Sequence, residues 1–240
     1  MKKLVVITGA SSGFGKALAL EFSKGGYPLL LLARRVELLE ELNLANTICE
    51  KVDVTNYEAF EKSVRKAEEL YGKTDLIINN AGVMFLGNIA SQDPQQWQTM
   101  LDVNVMGVMN GMKIVMEDMK QRKCGTIVNI ASIAGVKPFP LHAAYCATKY
   151  GVIGLSETAR GELAEHNVRV IRICPGAVNT ELLSHTTSDE IKANYKVWIE
   201  TTGVGSITAN DIAKTVKFAY EMPQGVNLRE IQIADTRQDA

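Results

Sequence analysis

The residues TGASSGFG, Thr8 to Gly15, follow an apolar run and precede a helix-length segment. Glycine lets the backbone turn tightly and approach a pyrophosphate, because no Cβ stands in the way. The free N–H groups at a helix start, together with the positive end of the helix dipole, bind such an anion. Because strand, turn and helix occur in the required order, the stretch predicts a dinucleotide site. The residues expected to contact the dinucleotide are Gly9, Ser11, Ser12, Gly13, Phe14 and Gly15.

Short apolar strands alternate with helix-length segments along the whole chain. Several strands are unbroken Val, Ile and Leu runs, which is typical of parallel strands covered on both faces. The predicted strands are Lys3–Thr8, Pro28–Ala33, Thr47–Val52, Asp75–Asn79, Gly125–Ala131, Val168–Cys174 and Leu228–Ala234. The predicted helices are Gly13–Lys24, Val36–Leu42, Tyr57–Tyr71, Pro94–Lys120, Ala144–His166 and Ala209–Glu221. The alternation predicts an α/β fold of the doubly wound, Rossmann type, with about seven parallel strands flanked by helices on both faces.

The length of 240 residues predicts a single domain over residues 1–240. Apolar residues make up 46% of the chain and charged residues 22%, an ordinary globular composition. The net charge of −1 argues against nucleic acid as a partner. The longest clean apolar run, Leu29–Ala33, is too short to span a bilayer, so we expect no membrane partner and a cytoplasmic location. The cysteines and histidines lack metal-ligand spacing, and no metal site is predicted.

One long stretch, from Pro175 to about Thr208, has no clear periodicity. Long irregular segments of compact domains usually form lids or binding loops. We therefore predict a substrate-loop segment at about 178–208. The alternative is a peripheral excursion on the surface.

The end of the second predicted strand indicates which dinucleotide is bound. Proteins of this architecture that bind NAD place an acidic residue there, which accepts a hydrogen bond from the ribose 2′-hydroxyl. This chain has Ala33, Arg34 and Arg35 instead. Guanidinium groups match a 2′-phosphate in geometry and in charge. The pattern predicts NADP(H) bound by Arg34 and Arg35; the alternative is a solvated pair of arginines that begins a surface helix.

Tyr145 and Lys149 lie four residues apart on a predicted helix, and Ser132 precedes Tyr145 by thirteen residues. The four-residue spacing places phenol and ammonium on one helix face. A neighbouring ammonium favours the phenolate and lowers the pKa of a tyrosine toward the range where it exchanges protons. A serine hydroxyl can hold a substrate oxygen on which charge develops. The three residues together predict acid–base chemistry on a carbonyl or an alcohol.

Over essentially its full length the sequence resembles the short-chain dehydrogenase/reductase family. The elements that carry this resemblance are Thr8–Gly15, Asp53–Val54–Thr55, Asn79–Asn80–Ala81–Gly82, Asn104, Ser132, Tyr145, Lys149 and Pro175–Gly176. The resemblance implies that Tyr145 is the proton donor in reduction and the base in oxidation. It implies that Lys149 lowers the pKa of Tyr145 and holds the nicotinamide ribose, that Ser132 orients the substrate carbonyl, and that Asn104 holds a water in a proton relay.

The resemblance also implies further contacts to the cofactor. The residues concerned are Asp53, Val54, Asn80, Ala81, Gly82, Pro175, Gly176, Val178 and Thr180, besides Tyr145 and Lys149. Three of them have structural alternatives. Asp53 is a candidate cap for the next helix, Asn80 a candidate to close the turn after the fourth strand, and Thr180 a candidate N-cap for a loop helix.

These features predict an NADP(H)-dependent oxidoreductase that interconverts a carbonyl and a secondary alcohol. The run 226–233 resembles the branch of the family that acts on small ketones or hydroxy acids. The alternatives are a ketoacyl-carrier-protein reductase and, in another class, a nicotinamide-sensing regulatory protein. The helix Val105–Met119, apolar nearly all round, predicts a homo-oligomer, as a tetramer. His142 is interpreted as a pocket-wall or surface histidine.

Overall fold

A single parallel sheet organises the computed structural model, which describes residues 2–238. Its strands are β1 (Leu4–Thr8), β2 (Leu29–Ala33), β3 (Thr47–Lys51), β4 (Thr74–Asn79), β5 (Thr126–Ile130), β6 (Arg169–Pro175) and β7 (Glu230–Ile233). They lie in the order β3-β2-β1-β4-β5-β6-β7, and all neighbouring pairs are parallel. The predicted doubly wound α/β fold is confirmed.

Eight α-helices of the described chain connect these strands and cover the sheet. They are α1 (Gly13–Lys24), α2 (Glu37–Glu40), α3 (Tyr57–Tyr71), α4 (Pro94–Leu101), α5 (Gly107–Arg122), α6 (Ala143–Leu163), α7 (Asp189–Thr202) and α8 (Ala209–Glu221). Within residues 2–238 no helix is long and apolar enough to cross a membrane.

The strands are covered on both faces, as their unbroken apolar runs indicate. On one face Val6 and Leu32 join a core cluster with residues of α3, α5 and α6, such as Phe60. On the other face Ile7 and Leu31 join a cluster with α1, α2 and α8. Because successive residues of a strand point to opposite faces, each of the strands β1 and β2 contributes apolar side chains to both core clusters.

Three predicted helices differ from those observed. The segment Pro94–Lys120 is not one regular helix: a π-helical turn, Asp102–Met106, separates α4 from α5. The segment Val36–Leu42 forms only the single turn α2. The segment Ala144–His166 forms α6 and then a 3₁₀ turn, Ala164–His166. Periodicity alone does not show these changes, because π, 3₁₀ and α turns place apolar side chains at nearly the same spacing.

The segment 178–208 is more regular than its sequence indicates. A 3₁₀ helix, Glu181–His185, follows Thr180, and α7 follows Ser188. The Ser188 side chain accepts a hydrogen bond from the Ile191 backbone N–H at 3.3 Å and caps α7. No residue of α7 is fully buried, so its helical pattern is weak in the sequence. The segment nevertheless lies over the carboxyl end of the sheet and lines a cavity there.

Candidate active site

The strand order reverses between β1 and β4, and the loops that follow these two strands diverge. Ligands of open parallel sheets bind at such a point, outside the carboxyl ends of the strands. A groove of about 510 Å³ lies there. One end is lined by Arg34 and Arg35, and the other by Tyr145 and Lys149. The groove therefore joins the two groups of residues that the sequence assigns to the cofactor and to the chemistry.

The glycine loop after β1 packs against the loop after β4. Gly9 has φ +65°, in the left-handed region that favours glycine, and a Cβ at this position would lie 2.8 Å from the Ala81 Cα. A Cβ on Gly15 would overlap the Gly9 carbonyl oxygen. Both glycines are thus required for the close approach of the two loops, and Gly15 supports the groove from behind, outside its lining.

Asn80 connects the two loops. Its side-chain amide donates to the Thr8 carbonyl oxygen at 2.8 Å and to the Gly9 carbonyl oxygen at 3.3 Å. The Asn80 and Ala81 backbone N–H groups both donate to the Thr8 hydroxyl, at 2.9 and 3.0 Å. Asn80 therefore holds the loops together while it lines the groove with Ala81 and Gly82.

The arginines at the end of β2 have different surroundings. The Arg35 guanidinium forms an ion pair with Glu181 at 3.0 Å and lies 3.4 Å from the Ser11 hydroxyl and 3.3 Å from the Ser12 hydroxyl. The hydrogen bond from Arg35 lowers the pKa of Glu181. Arg34 lines the groove and is exposed. Glu181 was missed at the sequence level, because a lone carboxylate in an irregular segment has no pattern that links it to β2.

Asp53 and Val54 line the groove beside the arginines. The Asp53 carboxylate accepts from the Thr55 backbone N–H at 3.0 Å and from the Thr55 hydroxyl at 2.7 Å. It does not cap the next helix, since the Asn56 side chain accepts from the Ala59 backbone N–H at 3.0 Å and fills that position. Asp53 instead fixes the turn that exposes its own carboxylate to the groove.

Tyr145 and Lys149 lie on the buried face of α6, as their spacing predicts. The Lys149 ammonium donates to the Ile130 carbonyl oxygen at 2.9 Å and lies 5.7 Å from the centre of the Tyr145 ring. The Ser132 side chain, just after β5, accepts from the Ala134 backbone N–H at 3.0 Å and lies close enough to the Tyr145 phenol to lower its pKa. The three predicted residues are therefore brought together at one point.

Burial is the main influence on the protonation of Tyr145 and Lys149. Burial raises the pKa of Tyr145 above its usual value, and the nearby Ser132 side chain acts in the opposite direction. Desolvation of the phenolate is the largest effect on the Tyr145 pKa, and the lowering of that pKa by Lys149 stays a prediction. Burial also lowers the pKa of Lys149 to about 8. Tyr145 is thus a neutral phenol that can give a proton, beside a lysine that remains largely charged at neutral pH.

Asn104 lies in the π-helical turn between α4 and α5, where it is buried. Its side-chain amide donates to the Val83 carbonyl oxygen at 2.9 Å and to the Thr148 hydroxyl at 3.2 Å. Its side-chain oxygen accepts from the Val83 backbone N–H at 2.8 Å. Asn104 fixes the loop after β4 to α6, behind the groove. π turns often mark functional sites, and the sequence gives no sign of this one.

A second and larger cavity, of about 1180 Å³, adjoins the groove. Tyr145 borders both spaces, and Ser132 and His142 border the larger one. Pro175, Gly176 and Val178, which the resemblance assigns to the cofactor, line this second cavity and not the groove. Thr180 borders both, and its hydroxyl accepts from the Leu182 backbone N–H at 3.3 Å, so it is also the N-cap that the alternative describes.

The turn that follows β7 closes the far side of this cavity, and no sequence pattern indicates it. The Gln238 side-chain oxygen accepts from the Ala177 backbone N–H at 2.8 Å. Arg237 lines the cavity and is paired with Asp235 at 3.2 Å. The residues after β7 show no periodic pattern of apolar side chains, so the sequence does not predict these contacts.

The groove fits a nicotinamide dinucleotide. The backbone around Gly9 and Gly13 is free of Cβ atoms that would block a pyrophosphate, and the start of α1 faces the same space. Two guanidinium groups lie at one end and a buried phenol and ammonium at the other. No three His, Cys, Asp or Glu side chains of residues 2–238 gather in a way that could hold a metal ion.

The chain matches known proteins over nearly its whole length. A family model described as short chain dehydrogenase matches residues 3–191. A protein of Listeria monocytogenes named only as an uncharacterized oxidoreductase is 39% identical, over 98% of this chain and 97% of the relative. Both matches extend from β1 past Tyr145 and Lys149 into the segment after β6.

Solved structures share the fold at comparable coverage. The closed form of a serine dehydrogenase complexed with NADP⁺ superimposes with a TM-score of 0.92 at 29% identity, covering 99% of this chain and 96% of the other. A variant of actinorhodin polyketide ketoreductase with NADPH superimposes with a TM-score of 0.87 at 26% identity, covering 98% and 96%. Both are similar to this chain from the first strand to the last.

Proposed function

The chain belongs to the short-chain dehydrogenase family and is an oxidoreductase of that family, and from this premise we propose that it interconverts a carbonyl and a secondary alcohol with NADP(H). The observation that carries the proposal is the place of the Tyr145 phenol. It is buried, protonated and close to Ser132, and it lies where the groove meets the larger cavity. The NADP-bound and NADPH-bound neighbours support the choice of cofactor.

Each residue of this site has a distinct task in the proposed reaction. When bound, the nicotinamide gives or takes the hydride. Tyr145 gives its proton to the carbonyl oxygen during reduction and recovers it during oxidation. Ser132 holds the same oxygen, on which negative charge develops. Lys149 stabilises the phenolate that the proton transfer leaves behind, and it holds the nicotinamide ribose.

At the other end of the groove, we propose that Arg34 and Arg35 bind the 2′-phosphate of NADP(H), with Ser11 and Ser12 beside it. Asp53 and Val54 would contact the adenine. The substrate predicted from the sequence, a small ketone or hydroxy acid, stays a prediction. The walls of the larger cavity are mainly aliphatic and aromatic, which suits a carbonyl on an apolar framework.

The proposal is tested by incubating the protein with NADPH and a diverse panel of ketones and keto acids. We expect loss of NADPH absorbance with at least one substrate, and a much slower loss with NADH in the same assay. A protein that binds NADPH tightly but consumes none with any carbonyl would instead be the regulatory sensor. That sensor has no need of a phenol, a hydroxyl and an ammonium arranged around one point.

A ketoacyl-carrier-protein reductase is less well supported. Such an enzyme needs a basic surface beside the pocket for its acidic carrier. The charged residues that line the larger cavity have mixed sign: Lys192, Lys196 and Arg237 lie near Glu181 and Glu200. Arg237 is also paired with Asp235, which reduces its attraction for a distant carrier.

We propose that the protein is a homo-oligomer, as a tetramer. Leu101, Met106 and Met109 are 45%, 48% and 42% exposed on the outer face of α4, the π turn and α5. A Cβ on Gly154 of α6 would meet no other atom within 4 Å, so a second helix can approach closely there. Apolar patches of this kind mark contact surfaces.

Light scattering at micromolar concentration is expected to give about four times the monomer mass of 26.3 kDa. Met106→Glu with Met109→Glu should shift the species to smaller mass, because two carboxylates would be buried in the contact. The control, Leu70→Glu, changes an apolar side chain on α3 that is 65% exposed and should leave the mass unchanged. A monomeric wild-type protein would contradict the proposal.

A further inference from the structure

We propose that His142 and Tyr195 form a recognition site for a hydroxyl group, so that the substrate is a carbonyl compound bearing a hydroxyl within one or two carbon atoms of the reacting carbonyl. The inference rests on the proposed function and names the substrate class of the same site. It assigns a task to two polar side chains of the larger cavity that the acid–base chemistry does not use.

The tautomer of His142 is fixed by its neighbours. Its Nδ1 lies 2.7 Å from the Pro140 carbonyl oxygen. A carbonyl oxygen only accepts, so Nδ1 carries the hydrogen and the neutral ring has a lone pair on Nε2. Burial lowers the pKa of His142 below its usual value, which keeps the ring neutral at neutral pH. Within residues 2–238 no donor reaches Nε2, so a hydrogen-bond acceptor is available in the cavity wall.

Tyr195 supplies the complementary donor. It lies on α7, and the centre of its ring is 6.2 Å from that of His142. Burial raises the pKa of Tyr195, so its phenol remains protonated. In the described part of the chain its hydroxyl has no hydrogen-bond partner. Tyr195 is also close enough to Tyr145 that a charge on one phenol raises the pKa of the other.

The two groups lie beside the reacting point. The rings of His142 and Tyr145 are in edge contact, with centres 6.3 Å apart, and His142 precedes Tyr145 by one helical turn. A carbonyl compound whose oxygen is bonded to the Tyr145 phenol would therefore have its neighbouring carbon atoms within reach of His142 and Tyr195. A substituent there meets one acceptor and one donor.

A hydroxyl group matches this pair, since it donates one hydrogen bond and accepts others. It would donate to His142 Nε2 and accept from the Tyr195 hydroxyl. A carboxylate only accepts, so one of its oxygens would face the lone pair of Nε2. An alkyl group would leave both protein groups without partners after water is expelled, which is unfavourable. The pair thus selects a hydroxyl over both.

The experiment compares kcat/KM with NADPH for 1-hydroxy-2-octanone, 2-octanone and 2-oxooctanoate, which differ only beside the carbonyl. At about three- to tenfold for each hydrogen bond, the wild type should prefer the hydroxyketone to the ketone by about ten- to a hundredfold. His142→Phe and Tyr195→Phe, which keep the rings, should each reduce that ratio about three- to tenfold. His142→Gln retains an acceptor and should restore part of it.

Matched controls separate the site from general effects. His166→Phe and Tyr71→Phe change the same residue types away from the cavity, and the ratio should stay at the wild-type value. Equal kcat/KM for the hydroxyketone and the ketone in the wild type would overturn this inference and leave the proposed function intact. A preference for 2-oxooctanoate would also overturn it. Absence of NADPH consumption with all three carbonyls would contradict the proposed function itself.

If no turnover is detected, ligand affinities measured in the absence of reaction still test the hydroxyl site. Titration calorimetry of the NADPH-loaded protein should show tighter binding of 1-hydroxy-2-octanone than of 2-octanone. The difference should disappear in the His142→Phe, Tyr195→Phe double variant. Equal affinities in the wild type would overturn the hydroxyl site.

Discussion

Tyr145→Phe is expected to lower kcat by about 10²–10⁴-fold while the affinity for NADPH changes little. The substitution removes only the phenol oxygen, which in the proposed mechanism gives the proton. The ring, buried beside Cys146 and Ala134, remains in place, so the cavity wall is preserved. The lost proton donor is not replaced, because Ser132 has too high an affinity for its own proton and Lys149 donates to a backbone carbonyl.

Steady-state rates with one active ketone and fluorescence titration with NADPH measure the two quantities separately. Tyr150→Phe is the matched control: Tyr150 lies on the same helix, and its phenol donates to the Val136 carbonyl oxygen at 2.6 Å on the exposed side. It should keep nearly the wild-type rate. A Tyr145→Phe enzyme with more than about a tenth of the wild-type kcat would show that another group gives the proton.

The positions of Tyr145, Lys149 and Ser132 follow from local sequence patterns, whereas their protonation states do not. Four residues of spacing place Tyr145 and Lys149 on one face of α6 in any regular helix, so the sequence was sufficient. Ser132 was placed correctly because a parallel sheet brings the carboxyl ends of its strands to one edge. The protonation states were not predictable, since they depend on how deeply the phenol and ammonium are buried, and burial is set by the segments packed above them.

The sheet was predictable for a similar reason. Strands such as β1 and β2 are apolar on both faces, which is typical of parallel strands covered by helices on both sides. Their predicted ends differ from the observed ones by only one or two residues. What could not be predicted depends on contacts between distant parts of the chain. The π turn at Asn104, the contact of Gln238 with Ala177 and the orientation of α7 have no local pattern.

Contacts between distant parts of the chain also explain why Arg34 and Arg35 are not equivalent. The sequence treats them alike, as two guanidinium groups after Ala33. Both arginines are exposed and line the groove, but Arg35 is paired with Glu181 and bonded to the hydroxyls of the glycine loop, whereas Arg34 pairs with no carboxylate of residues 2–238. An arginine already paired with a carboxylate gains less from a phosphate than one without that pairing.

We therefore expect a preference for NADPH over NADH in kcat/KM of about a hundredfold or more, with the larger share due to Arg34. The 2′-phosphate brings about two negative charges, and each charge-assisted contact contributes roughly 1.5–3 kcal/mol. At about 1.4 kcal/mol per tenfold change, two such contacts give this ratio. Because the site is exposed, added salt should reduce the preference.

Ala33→Asp combined with Arg34→Ala is expected to reverse the preference. The new carboxylate lies at the end of β2, where it can accept from the 2′-hydroxyl of NADH and repel the phosphate of NADPH. The measurement is kcat/KM for both cofactors with one ketone, in the wild type, the double variant and Arg229→Ala, which removes an exposed arginine outside the groove. Arg229→Ala should keep the wild-type ratio, while Arg34→Ala alone should reduce it more than Arg35→Ala. A wild type that uses both cofactors equally, or a double variant with an unchanged ratio, would show that these arginines do not determine the choice of cofactor.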